Sequence, residues 1–85
     1  MEVEAVALLL ACKAAQSLDI HKSVFESDCK VLIDAIQQKG ICPWYIHPFV
    51  SDSRVLLSNN PEWSLKWINS SRNVVAHELA KWAFY

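Results

Sequence analysis

The sequence predicts an α/β layer in which the elements follow the order α-β-α-α-β-α and the two strands run parallel. Three observations carry this fold class. Apolar residues recur at helical spacing in four separate stretches. Two short stretches between them alternate in polarity, as half-buried strands do. Helices separate the strands, so the chain must cross over between them, which makes the pair parallel.

Residues 2–18 hold strong helix formers and almost no breakers, which gives the first helix. Lys22 to Ser27 reads as a short strand. From Asp28 the apolar spacing turns helical through Val31, Leu32, Ile33, Ala35 and Ile36, with Ser27 or Asp28 as the expected N-cap. This second helix should stop near Lys39-Gly40, because the chain's single glycine stands where helices often end. Pro43 opens a third helix that runs to about Ser58, with Pro48 tolerated in or just after the first turn. Asn59-Asn60-Pro61 is a turn. Glu62 to Ile68 alternates, placing Trp63, Leu65 and Trp67 on one strand face. Ser70-Ser71 interrupts it, and Asn73 to Phe84 forms the last helix. Two strands alone make a marginal sheet, so the architecture calls for something more.

Composition narrows the function classes. With 85 residues there is room for one domain, residues 1–85, and a chain of this size buries only about 60% of its unfolded surface. A hydrophobic content of 53% and a net charge of −1 exclude disorder. Eight Lys and Arg against nine Asp and Glu disfavour binding nucleic acid by phosphate neutralisation alone. Cys12, Cys29 and Cys42 form an odd set without CxxC spacing, which argues against zinc or a disulfide framework and for an intracellular setting. The run from Ala5 to Cys12 imitates a secretory signal, yet the residues before it are acidic where such signals are basic. No stretch reaches the ~18 apolar residues of a membrane span, so a soluble protein without a membrane partner is expected.

A few residues could carry chemistry. At about 100° per residue, Lys13 lies opposite Glu4 on the first helix. Glu2, Lys13, Gln16 and Ser17 form the polar side, which places Glu4 among Leu8, Ala11 and Ala15. A carboxylate there is paired, protonated or bound to metal, or it simply favours the helix dipole from the first turn. Asp28 ends a strand and begins a helix, the edge where open α/β sheets place ligands, although an N-cap role suits it equally. Together the two carboxylates resemble divalent-metal ligands of a phosphoryl-transfer site. His77 shares a stripe with Asn73 and Lys81, as on a solvated face. Trp63, Trp67 and Lys66 offer either a stacking surface with a cation or core.

Three segments taken in order carry a resemblance. Glu4-Ala5-Val6-Ala7-Leu8-Leu9, then Val24-Phe25-Glu26-Ser27-Asp28, then Asn73-Val74-Val75-Ala76-His77-Glu78-Leu79-Ala80-Lys81 resemble the plant ribonuclease-H-like domain of retrotransposon-derived, reverse-transcriptase-associated reading frames. Pro43-Trp44, Pro48-Phe49-Val50, Asp52 and Arg54-Val55-Leu56-Leu57 are similar to its third-helix pattern, so the resemblance spans roughly residues 2–84. It implies a ribonuclease H fold and two-metal hydrolysis of the RNA strand of RNA–DNA hybrids, with Mg²⁺ held by four acidic ligands. Glu4 and Asp28 would be two of those ligands, His77 stands at the position of the last one, and Arg72, Asn73 and Lys66 would contact nucleic acid.

The departures from the family shape the expectation. The family's sheet begins with three antiparallel strands that carry an Asp-Gly pair and the central metal-bridging aspartate. The resemblance starts after them, which implies a truncated, C-terminal part of the domain. Imidazole at His77 suits Mg²⁺ poorly, since that ion prefers oxygen. Ser70 stands where the family has an arginine, with Arg72 displaced by two positions. Two of four acidic ligands are then absent, so Mg²⁺ binding should be weak or lost. The expected function is a nucleic-acid-binding domain of hybrid-endoribonuclease ancestry with impaired hydrolysis. The alternatives are a non-catalytic nucleic-acid-binding or protein-interaction module, or a fragment. The apolar surplus then implies an exposed patch on the strand pair and the Ala5–Leu10 side, covered by a second copy or a partner.

Overall fold

The computed structural model describes residues 1–69, and the helix expected from Asn73 to Phe84 lies outside the described residues. Within them the elements are α1 (Glu2–Ser17), β1 (Ser23–Ser27), α2 (Lys30–Ile36), a 3-10 turn at Trp44–Ile46, α3 (His47–Asn59) and β2 (Trp63–Trp67). The two strands pair in parallel, with Ser23 opposite Trp63 and Ser27 opposite Trp67. The ladder is extended by the Ile68 N–H donating to the Ser27 carbonyl at 2.9 Å. The α/β class and the parallel crossover are therefore those the sequence predicts.

Burial alternates along β1. Ser23, Phe25 and Ser27 face inward, while Val24 and Glu26 are half-buried on the other side. The core gathers against Phe25 from every described element: Ala5, Leu8, Ala11, Cys12 and Ala15 of α1, Leu32, Ala35 and Ile36 of α2, Ile46, Val50 of α3 and Trp63 of β2. The alanines on the inner face of α1 leave little side chain between that helix and α3, against which it packs. Burial pushes the Cys12 thiol up to about 12, since thiolate charge in an apolar surround is disfavoured.

α2 is shorter than the sequence suggests, and each end has a local cause. At its start the Ser27 hydroxyl accepts a hydrogen bond from the Cys29 N–H at 3.1 Å, a turn that holds Asp28 and Cys29 outside the helix. Cys29, with extended backbone, becomes the N-cap in place of Ser27 or Asp28. At its end the Lys39 N–H donates to the Asp34 carbonyl at 2.7 Å and the Gln38 N–H to Ala35 at 3.3 Å. This double closure puts Gln38 in the left-handed region at φ 60°, two residues before the glycine expected to stop the helix. α1 closes the same way, with Asp19 at φ 57° and the Ile20 N–H reaching the Ala15 carbonyl at 3.0 Å. The stretch expected to be one helix from Pro43 begins as the 3-10 turn and continues as α3, with Pro48 in its first turn.

Two side chains lock the crossover. The Arg54 guanidinium of α3 donates to the last carbonyls of α2, through Nη2 to Ala35 at 2.8 Å and through Nε to Ile36 at 3.2 Å. A cation there satisfies orphan acceptors and complements the negative end of the helix dipole. Trp63 packs edge-on against Phe25, with ring centroids 5.2 Å apart. Its indole N–H donates to the Ile20 carbonyl at 2.9 Å, just beyond α1.

Four stability measurements follow from this packing, the first three by urea titration. Gln38→Gly should stabilise the fold by about 1 kcal/mol, because it removes the steric cost of a left-handed side chain. Gly40→Ala should change stability little in the same urea titration, since its new Cβ would meet only Asp34 Cβ at 3.5 Å. Arg54→Lys should cost about 2 kcal/mol, as an ammonium cannot bridge both carbonyls. Cys12 makes stability pH-dependent: the buried thiol stays protonated while the unfolded thiol ionises near its ordinary 9.0. Its contribution is therefore whole below pH 9 and lost as pH rises towards about 12, a decline that Cys12→Ala should flatten.

Candidate acidic edge at the end of the first strand

Sequence reasoning singles out Glu4 and Asp28, and the fold brings their elements to one edge. Helical phase puts Glu4 on the inward arc of α1, and its side chain is 31% exposed. One carboxylate oxygen, Oε1, lies 3.0 Å from the Met1 amino nitrogen. Because α1 runs back along β1, its first turn lies beside the C-terminal end of that strand. Glu4, Ala7, Leu8, Glu26 and Ser27 line a cleft there of about 10 Å³, room for about one water. Asp28 follows Ser27 directly and is half-buried, and its backbone carbonyl accepts the Trp67 indole N–H at 3.1 Å.

Glu26 is the residue that sequence reasoning missed. It shares the cleft with Glu4, and the signal for it was present: it sits one residue from Ser27 in an alternating strand whose outer face it occupies. Lys66 stands opposite Glu26 in the parallel register and is exposed, so a cation neighbours this edge across the ladder. Trp63 is core, at 6% exposure. Trp67 on the same strand face is 47% exposed, and Lys30 Nζ lies 5.7 Å from its ring centroid. Lys30 also pairs with Asp34 at 3.5 Å. The cation over the tryptophan is therefore Lys30, while Lys66 points to the other side of the strand. Arg72, Asn73 and His77 lie outside the described residues.

The donor set can be tested against the expected metal. Among the described residues no group of three or more Asp, Glu, His or Cys side chains converges in a way that could hold a metal ion. Glu4 and Glu26 supply two carboxylates at a cleft of water size. Mg²⁺ takes octahedral oxygen coordination, and a two-ion centre needs bridging carboxylates. The described residues do not fit such a centre.

Among the described residues, an α/β layer of three helices around a parallel strand pair is consistent with a ribonuclease-H-like fold. The family model described as reverse transcriptase-like matches residues 1–83, and the chain belongs to that family. No curated protein and no solved structure matches it. Ribonuclease-H-like domains generally use divalent metal, and the family suggests nucleic-acid binding. No helix among the described residues is long and apolar enough to cross a membrane.

Proposed function

We propose that this chain is a nucleic-acid-binding domain descended from endoribonucleases of RNA–DNA hybrids, of the plant retrotransposon-derived type, with impaired hydrolysis. The observation that carries this reading is the acidic edge itself. Glu4 reaches the end of β1 beside Glu26 and Ser27, as a phosphodiester-cleaving site of this family would require, but no third ligand joins them among the described residues. His77, at the position of the last acidic ligand by resemblance, adds nitrogen where Mg²⁺ prefers oxygen. Mg²⁺ binding is therefore weak or absent in this reading.

Nucleic acid would meet the edge near Lys66, with Arg72 and Asn73 as further contacts by resemblance. Bringing a phosphate to Glu4 and Glu26 requires charge compensation, and Lys66 is the described cation placed for it. The outward half of α1 is apolar, with Val3 and Leu10 exposed. The same reading includes protein over that face, either a second copy or a different partner. On the Ala5–Leu10 side, where an exposed patch was expected, Leu10 is exposed, whereas Ala5, Leu8 and Leu9 are buried in the described fold.

Fluorescence anisotropy with a labelled RNA–DNA hybrid, run beside a cleavage assay in Mg²⁺ or Mn²⁺, tests the proposal. The expected result is saturable binding that persists in chelator and negligible cleavage. Asp28→Asn should leave affinity unchanged, while Lys66→Glu should weaken it roughly fivefold and lower its salt dependence. Metal-dependent cleavage abolished by Glu4→Gln would overturn the impairment. Absence of hybrid binding at low salt would overturn the nucleic-acid function.

A further inference from the structure

We infer that the outward face of α1 is a homodimer seam, in which a second copy of this chain packs its own α1 antiparallel against the first. The inference deepens the reading that this face is covered by protein, and it is independent of nucleic-acid binding. Val3, Val6, Ala7 and Leu10, together with Glu2, line a groove of about 310 Å³ on that face. Val3 is 78% exposed and Leu10 50%, although both belong to an ordered helix whose opposite side is fully buried. Residues at positions 3, 6, 7 and 10 form the four corners of a hole on a helix surface, the shape that accepts a knob from a facing helix. Leu10 is the largest side chain at the rim, and an antiparallel partner delivers its own Leu10 into that hole.

Charge chooses the occupant and the direction. The charged side chains of α1 besides the inward Glu4 are Glu2 and Lys13. At about 100° per residue they fall within about 20° of each other, on one flank of the apolar stripe and near its opposite ends. When two identical helices pack antiparallel, each flank meets the same flank of the partner; when they pack parallel, it meets the other. Only the antiparallel arrangement sets Glu2 beside Lys13 of the second copy, and it does so twice across the two-fold axis. The offset that seats Leu10 at the centre of the hole matches that pairing to about two residues, about 3 Å along the helix, which a lysine side chain spans. The stripe is thus complementary to itself in shape and in charge. The groove and the acidic cleft share Ala7, so the seam would run directly beside the acidic edge.

Sedimentation equilibrium of the full 85-residue chain without nucleic acid tests this. A concentration-dependent monomer–dimer equilibrium is expected. Leu10→Glu and Val3→Glu, both at exposed positions, should each raise the dissociation constant at least about tenfold with unchanged circular dichroism. Lys13→Glu should raise it roughly fivefold, and adding Glu2→Lys should restore it. A chain that stays monomeric to about 100 μM, well above a micromolar affinity, overturns the proposal. So does a dimer indifferent to both Leu10→Glu and Val3→Glu, since that dimer uses another face. A dimer that loses affinity with Lys13→Glu and is not rescued by Glu2→Lys overturns the antiparallel register. Hybrid affinity measured on Leu10→Glu separates this outcome from the nucleic-acid reading, because that substitution should leave it intact.

Discussion

The contact between Trp63 and Phe25 holds the fold together. A two-stranded parallel ladder has little stability of its own, because its hydrogen bonds form only after a long crossover has been closed. The edge-on ring pair supplies apolar area and geometric specificity between the start of β2 and the middle of β1. Through its indole N–H, the same side chain also holds Ile20 in the turn that leads from α1 to β1. One tryptophan therefore ties the second strand both to the centre of the core and to the chain just beyond the first helix. The remaining elements pack around the same cluster.

The acidic edge inherits its geometry from that arrangement. Glu4 lies at the end of β1 because α1 runs antiparallel to the strand and its alanine-lined inner face lets it sit close. Shifting the helix by one residue would rotate Glu4 about 100° and carry its carboxylate away from the cleft. The partial burial of that carboxylate is thus a consequence of core packing, and the chemistry available at the edge depends on contacts well away from it. Proximity of the apolar groove to this edge has the same origin, since both are sides of one helix.

Much of this was legible in the sequence, and the exceptions have physical reasons. Helical phase placed Glu4 on the inner side of α1. Alternation placed Trp63, Leu65 and Trp67 on one strand face but left open whether that face was core or a stacking surface. The fold divides it, with Trp63 buried and Trp67 exposed. The bounds of α2 were not legible. Ser27 uses its hydroxyl in a turn to Cys29, where an N-cap was expected, and no composition rule distinguishes the two uses. The helix ends on Gln38 because paired backbone hydrogen bonds demand a left-handed residue there, whatever its side chain. Gly40 was a plausible stop on preference alone, yet preference yields to closure geometry. Glu26 escaped notice because a polar residue on a strand's outer side ordinarily means solvent, and only the proximity of α1 makes it part of a cleft. The outward apolar side chains were foreseen as a surplus, but their division was not: Leu8 and Leu9 meet the core, while Val3 and Leu10 do not.

Arg54 has a consequence for the electrostatic field of the surface. Its guanidinium is committed to backbone carbonyls of α2, and Lys30 is divided between Asp34 and the Trp67 ring. Of the cations in an already slightly acidic chain, one is thereby committed to the backbone and a second, 65% exposed, is already paired with a carboxylate. A polyanion approaching the molecule would displace few counterions, so the entropy that usually drives such encounters is small here. Recognition of nucleic acid by this domain would have to come from shape and from close fit, with long-range attraction contributing little.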